Sequence, residues 1–328
     1  MSTAQHLLAL VKSHVDGDND TFLSLAMQVA AREARSGHTN VAAELRKLID
    51  QARQQRGLAP RPSTALPLRP PQPQGELGTL LSVSYPGVQL RDMVLPQSVE
   101  DRLDRIIKEH VQQERLRSHG LSPRRKILLV GPPGSGKTMT AHALAATLHL
   151  PLLTILLEGV ITRFMGDTAA KLRLVFDAMA NTRGVYLFDE FDAIGAKRSS
   201  GNDVGEIRRV LNSFLQFLEQ DDSASLVIAA TNHPELLDPA LFRRFDDVVE
   251  YQLPDTTVTV RLLQARLAPF LEGAVDWEQL AGAAQGLSQS EIARAAEDAA
   301  KTALLDGRTH VQADDIEQAL EERRQARR

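Results

Sequence analysis

The sequence predicts an α/β fold: a doubly wound, mainly parallel sheet of five strands, with an all-helical lid after it and a small helical bundle before it. Three observations carry this. A glycine-rich turn, Gly131 to Thr138, sits between a short apolar run and a helical pattern. Short apolar runs then alternate with helix-period stretches as far as Pro254, as βαβ units require. Beyond Pro254 the strand pattern stops and only helical patterns follow.

In chain order, residues 1–59 form a first unit. Leu7, Leu8, Leu10 and Val11, then Phe22, Leu23, Leu25, Ala26, Val29 and Ala30, then Val41, Leu45, Leu48 and Ile49 recur at helical spacing. Gly37 suits a helix C-terminus, and Thr39 or Asn40 can cap the next helix. Three short amphipathic helices fit a bundle, which either packs or dimerises, or recruits a partner. Six of the sixteen prolines fall between Pro60 and Pro73, which rules out regular helix or strand there. Residues 60–80 read as a semi-extended spacer, with a P-x-x-P ligand as the other reading.

The α/β domain spans 81–254. The segment Tyr85 to Pro96 leads into a helix over 98–118. Strands are expected at Lys126–Val130, Leu152–Leu157, Val185–Phe188, Leu226–Ala230 and Val248–Tyr251, with helices between them at 168–179 and 206–219. The lid, 255–328, holds helical patterns at 258–271, 277–284, 290–305 and 313–324.

Composition narrows the chemistry. At 328 residues the chain can hold two or three compact units, and 43% hydrophobic with 24% charged residues is ordinary for a globular protein. A net charge of −4 gives no case for nucleic acid or an anionic membrane as partner. The absence of cysteine excludes disulfides, thiolate metal sites and cysteine nucleophiles. No apolar run approaches the roughly 20 residues of a membrane helix, and Met1 to His6 do not open a signal peptide. The expected location is cytoplasmic.

Gly131-Pro132-Pro133-Gly134-Ser135-Gly136-Lys137-Thr138 fits the phosphate-loop pattern G-x-x-x-x-G-K-[ST] without a gap. Its glycines let successive N–H groups turn toward phosphate oxygens, and the helix that follows adds positive potential at its N-terminus. Lys137 would reach the β/γ-phosphates and Thr138 would hold Mg²⁺. A nucleoside triphosphate is therefore the expected ligand. Val185-Tyr186-Leu187-Phe188-Asp189-Glu190 is an apolar strand ending in two carboxylates. Asp189 suits Mg²⁺ and Glu190 suits polarisation of an attacking water. Asn232, at the end of the strand that carries Ala229-Ala230-Thr231, can position that water or touch the γ-phosphate. Arg243 and Arg244 are either a solvated ledge or, presented to a neighbouring subunit, stabilisers of transition-state charge.

In this order the motifs resemble the AAA family of ATPases within the AAA+ superfamily, over roughly residues 85–305. The resemblance implies a Walker A loop at 131–138, a Walker B strand at 185–190, sensor 1 at Asn232, arginine fingers at Arg243 and Arg244, and ATP with Mg²⁺ as ligands. It assigns nucleotide binding to Pro133, Gly134, Ser135, Gly136, Lys137, Thr138, Met139, Asp92 and Val94, with Thr138 and Asp189 toward the metal. It also implies a homo-oligomeric ring, usually a hexamer, with ATP at the subunit interfaces. The adjacent arginines are closest to the katanin and spastin group. Arg163, Phe164 and Met165, before Gly166-Asp167-Thr168 read as a turn with a helix cap, resemble the aromatic pore loop that grips a polypeptide. Two positions depart from the family: Arg266 stands where many members carry a lid histidine, and Gln289 where many carry glycine in the lid motif Gly286-Leu287-Ser288-Gln289-Ser290. The closing Arg323-Arg324-Gln325-Ala326-Arg327-Arg328 suits a helix C-terminus. Two functions follow: an ATP-driven ring that threads or remodels a protein, or an ATP-dependent scaffold that controls a separate effector, such as a protease, through residues 1–59. A nucleic-acid motor is disfavoured by the acidic balance and the lack of a basic-aromatic stripe.

Overall fold

The computed structural model describes residues 75–160, 165–192, 204–272 and 275–326. All of them fall in the second of the chain's two compact units, Arg69–Arg328. The expected bundle at 1–59 and most of the spacer lie outside the described residues.

Six strands form one sheet: β1 (Leu81–Ser84), β2 (Lys126–Val130), β3 (Leu152–Ile155), β4 (Val185–Phe188), β5 (Leu226–Thr231) and β6 (Asp247–Glu250), in the order β1-β3-β4-β5-β2-β6. The last five in that order pair in parallel, as the sequence predicts. The expected count of five is corrected by β1, which pairs antiparallel with β3, Leu81 opposite Ile155 and Ser84 opposite Leu152. Its sequence signal is two apolar residues alternating with serines, too short to separate from the spacer before it. The strand expected at Leu152–Leu157 is also shorter, because Leu157 opens a helical turn, Leu157–Val160.

Strand alternation sends successive side chains to opposite faces. Leu128 and Val130 of β2 join one core, and Ile127 and Leu129 join the other. All six residues of β5 are buried, as a central parallel strand covered on both faces must be. One face is covered by α1 (Gln97–Val111), through Leu103 and Ile106, and by α2 (Lys137–Thr147), whose Ala141, Ala143 and Ala145 let it lie close to the strands. The other is covered by α3 (Met165–Asn181) and α4 (Val204–Gln220). There Phe176, Phe188, Phe191 and Phe214 interlock, with ring centroids 4.8 Å apart for Phe191–Phe214 and 5.2 Å for Phe188–Phe214. Such pairs add about 0.5–1.5 kcal/mol each beyond the area they bury.

Two boundaries differ from expectation. The first helix stops at Val111, Gln112 leaves helical geometry at ψ 20°, and a short second helix, Gln113–Ser118, follows. The helix expected from Thr168 begins at Met165, so Gly166, Asp167 and Thr168 form its first turn rather than a loop.

After Pro254 the chain is helical: α5 (Thr256–Leu267), α6 (Trp277–Ala283), α7 (Gln289–Leu305) and α8 (Ala313–Gln325). Asp255 caps α5 and Asp276 caps α6, while α7 opens with a Ser288–Glu291 capping box. Ala295, Ala296, Ala299 and Ala303 line the inner face of α7, so neighbouring helices approach closely around Leu263, Ile292, Ile316 and Leu320. At the far edge of the sheet, the Arg102 guanidinium donates to the Val248 carbonyl and pairs with Asp247 at 3.1 Å. Arg124 pairs with the same carboxylate at 3.0 Å.

Candidate nucleotide site

The parallel strands end at one rim of the sheet, and crossover connections make such rims the usual ligand sites of open α/β folds. The loop joining β2 to α2 crosses this rim. Gly131, Gly134 and Gly136 all have positive φ, 146°, 74° and 96°. At Gly131 there is no room for a side chain either, since a Cβ would stand 2.3 Å from the Tyr251 carbonyl oxygen.

Lys137, the first residue of α2, is buried, and its ammonium donates to the carbonyls of Gly131 and Pro132, each at 2.8 Å, and to Asn232 Oδ1 at 2.7 Å. Burial draws it below the ordinary lysine range, and the carboxylates of Asp189 and Asp192 oppose that. Asn232, 95 residues further along the sequence, thus lies within one hydrogen bond of the loop lysine. Thr138 Oγ1 donates to Asp189 Oδ2 at 2.8 Å. These are the two hard oxygen donors that Mg²⁺ would take from a protein while drawing its remaining ligands from phosphate and water. Among the described residues there is no cluster of three or more acidic or histidine side chains that could hold a metal without such help. Thr138 and Asp189 therefore fit Mg²⁺ bound with a triphosphate rather than a resident metal.

Glu190 leaves β4 in a left-handed conformation, φ 49°, unusual for a non-glycine residue. Its N–H donates to Asp189 Oδ1 at 3.0 Å. The turn parts the two carboxylates, so that both line the cleft.

The cleft encloses about 770 Å³, within the range of small-molecule sites. Its wall includes Pro133, Gly134, Gly136, Lys137, Thr138 and Met139 of the loop and α2, with Asp92 and Val94 from the segment before α1. Glu190, Asn232, Arg266 and Gln289 also line it. Ser135 is buried behind the loop. Asp92 also accepts from the Gln89 N–H at 2.8 Å, which fixes the segment that carries it.

The departures from the family find physical places. Gln289 begins α7 and lies over the loop, its Oε1 3.3 Å from where a Cβ on Gly136 would stand. Arg266 faces Glu297 at 3.7 Å. Sequence reasoning missed the serines beside Gln289. The Ser290 N–H donates to the Gly134 carbonyl at 3.0 Å, fastening the lid helix to the phosphate loop. It also missed Arg294 and Glu297, which line the same cleft. The signal was available, since 290, 294 and 297 fall on one helical face.

Arg243 and Arg244 do not line this cleft. They follow a short turn, Pro239–Phe242, capped by Asp238, and both are exposed. Arg244 is paired with Glu219 near the end of α4. Of the expected pore loop, Arg163 and Phe164 lie outside the described residues, as does the side chain of Met165.

Comparison with known proteins agrees with this geometry. The family model "ATPase family associated with various cellular activities (AAA)" matches residues 127–253. An uncharacterized AAA family ATPase, y4kL of Sinorhizobium fredii, is 32% identical over 306 residues, 93% of this chain and 91% of its own length. The ATP-dependent zinc metalloprotease FtsH of Helicobacter felis is 32% identical over 259 residues, 75% of this chain but 40% of its own. The proteasome-activating nucleotidase of Thermococcus kodakarensis is 34% identical over 210 residues, 62% of this chain and 53% of its own. These likenesses support the AAA family and do not single out the katanin and spastin group.

Proposed function

The chain belongs to the AAA family of ATPases, and from that premise we propose that it uses ATP hydrolysis to remodel or thread a protein substrate within a ring of its own copies. The observation that carries the reading is the convergence of Lys137, Thr138, Asp189, Glu190 and Asn232 at one rim of the sheet.

The loop N–H groups and Lys137 bind the phosphate chain. Mg²⁺ held by Thr138 and Asp189 would neutralise charge on the β- and γ-phosphates. Glu190 accepts a proton from the attacking water as the water oxygen bonds to the γ-phosphorus and the bond from that phosphorus to the bridging oxygen breaks, releasing ADP and phosphate. Asn232, already bonded to Lys137, orients that water or the γ-phosphate. Arg243 and Arg244, absent from the cleft of their own chain, act on a neighbour's nucleotide. Phe164, between Arg163 and Met165, grips the polypeptide.

The test uses two variants. Glu190→Gln should bind ATP without turning it over and retain an assembled ring with its client, read by sizing and pull-down. Phe164→Ala should abolish remodelling of that client while most ATPase activity remains. Unchanged turnover in the first variant, or surviving remodelling in the second, would refute the assignment.

A second reading has its own support. FtsH is by name a protease and the Thermococcus relative a proteasome activator. This chain would then control a separate effector, recruited through residues 1–59, with hydrolysis as the timer. A partner captured by that segment, its fold unchanged through ATP turnover, favours this reading.

A further inference from the structure

We infer that Arg294 is a nucleotide-binding residue of the lid, gripping the ribose and α-phosphate portion shared by ATP and ADP. The inference rests on the cleft being the ATP site.

The helix α7 runs along the wall of the cleft. Its first turn is fixed to the phosphate loop by the Ser290 N–H to Gly134 carbonyl bond. From there Gln289, Ala293 and Glu297 line the cleft at successive i, i+4 positions, with Ser290 and Arg294 beside them. Arg294 lies four residues beyond Ser290, about 6 Å along the axis. Val94, Leu262 and Ala265 line the same cleft.

Charge points the same way. Lys137 serves the loop end of the cleft, and Arg266 faces Glu297 at 3.7 Å. Arg294 is exposed, lines the cleft and has no ion-pair partner among the described residues. A guanidinium on the lid wall with no ion-pair partner among the described residues offers N–H donors to the α-phosphate and ribose hydroxyls of a nucleotide in the same cleft. Arg294 should thus hold product as firmly as substrate.

The experiment measures binding of ADP and of the non-hydrolysable imido analogue of ATP by calorimetry, for the full chain and for Arg294→Ala and Arg294→Lys. The alanine variant should bind both nucleotides roughly 3- to 10-fold more weakly, in equal measure, and lysine should recover part of the loss. An alanine variant with unchanged affinity for both overturns the inference. So does a loss confined to the ATP analogue, which would move the contact to the γ-phosphate. Melting temperature without nucleotide reports folding; equal melting with weakened binding supports the inference. If the unsubstituted chain binds neither nucleotide, the site reading itself fails and this inference with it.

Discussion

Gly134 is where the phosphate loop and the lid touch, and a single methyl group there tests the contact. In Gly134→Ala the backbone must keep φ at 74°, which costs an alanine about 1–2 kcal/mol. The new Cβ would also stand 2.3 Å from Ser290 Oγ and 2.7 Å from Ser288 Oγ. Serine hydroxyls can rotate away, but Ser288 Oγ is held at 2.6 Å by Glu291 and caps α7. Moving it forfeits a cap worth about 1 kcal/mol, and pushing α7 outward adds the Ser290 to Gly134 hydrogen bond, about 1 kcal/mol. The combined loss is about 3–4 kcal/mol. Urea denaturation reads the stability, and calorimetry with the imido ATP analogue reads the lid's hold on nucleotide. The partner variant is Ser290→Ala, which removes the nearer of the two oxygens. Combined with Gly134→Ala it should return about 1 kcal/mol, leaving the backbone strain in place. A destabilisation below about 0.5 kcal/mol, or strictly additive effects in the cycle, would refute the claim that the lid is fastened at this point.

Arg244→Ala removes an exposed ion pair with Glu219, so stability should change by less than about 1 kcal/mol. If the arginine stabilises a neighbour's transition state, ATPase should fall about 10³-fold, and mixing with Glu190→Gln subunits tests whether it acts in trans. His110 is buried, and burial together with Arg183, Arg117 and Arg125 lowers its pKa to about 4. The unfolded chain binds a proton near pH 6.5 that the folded chain refuses, so stability should fall as pH drops from about 6.5 to 4, by about 2 kcal/mol at pH 5. His110→Gln should flatten that slope in denaturant titrations at each pH, whereas the carboxylates lowered by Arg323 and Arg308, Asp298 and Asp315, act only below it. Chelation of divalent cations should stop turnover, and Asp189→Asn should raise the Mg²⁺ concentration needed to restore it; turnover indifferent to both would remove the metal from the mechanism.

Much of the parallel core was legible because its strands obey a single rule. Runs such as Leu226–Ala230 are apolar throughout when both faces are covered, and nothing else in a short segment looks like that. The loop at 131–138 was legible because phosphate chemistry demands its glycines and lysine at fixed spacing. β1 was not legible, because four residues of which two are serines carry little periodicity, and pairing with β3 rather than propensity makes them a strand. The Gly134 to Ser290 fastening was beyond sequence reasoning for a related cause. It joins residues 156 positions apart, and no local pattern announces a backbone contact between distant elements. Arg294 could have been found by carrying the helical wheel of α7 one turn past its motif.

The arginines at the β6 edge have a consequence for how this chain keeps company. A sheet ends in unpaired backbone groups that will accept any extended strand offered to them. Here the Arg102 guanidinium already occupies the Val248 carbonyl, and Asp247 is clasped from two sides. On the opposite flank, β1 runs antiparallel to β3 and is four residues long. Both margins are thus poor templates for a foreign strand. A protein that handles other chains in extended form, as proposed for this one, could pass them by without recruiting them into its own sheet.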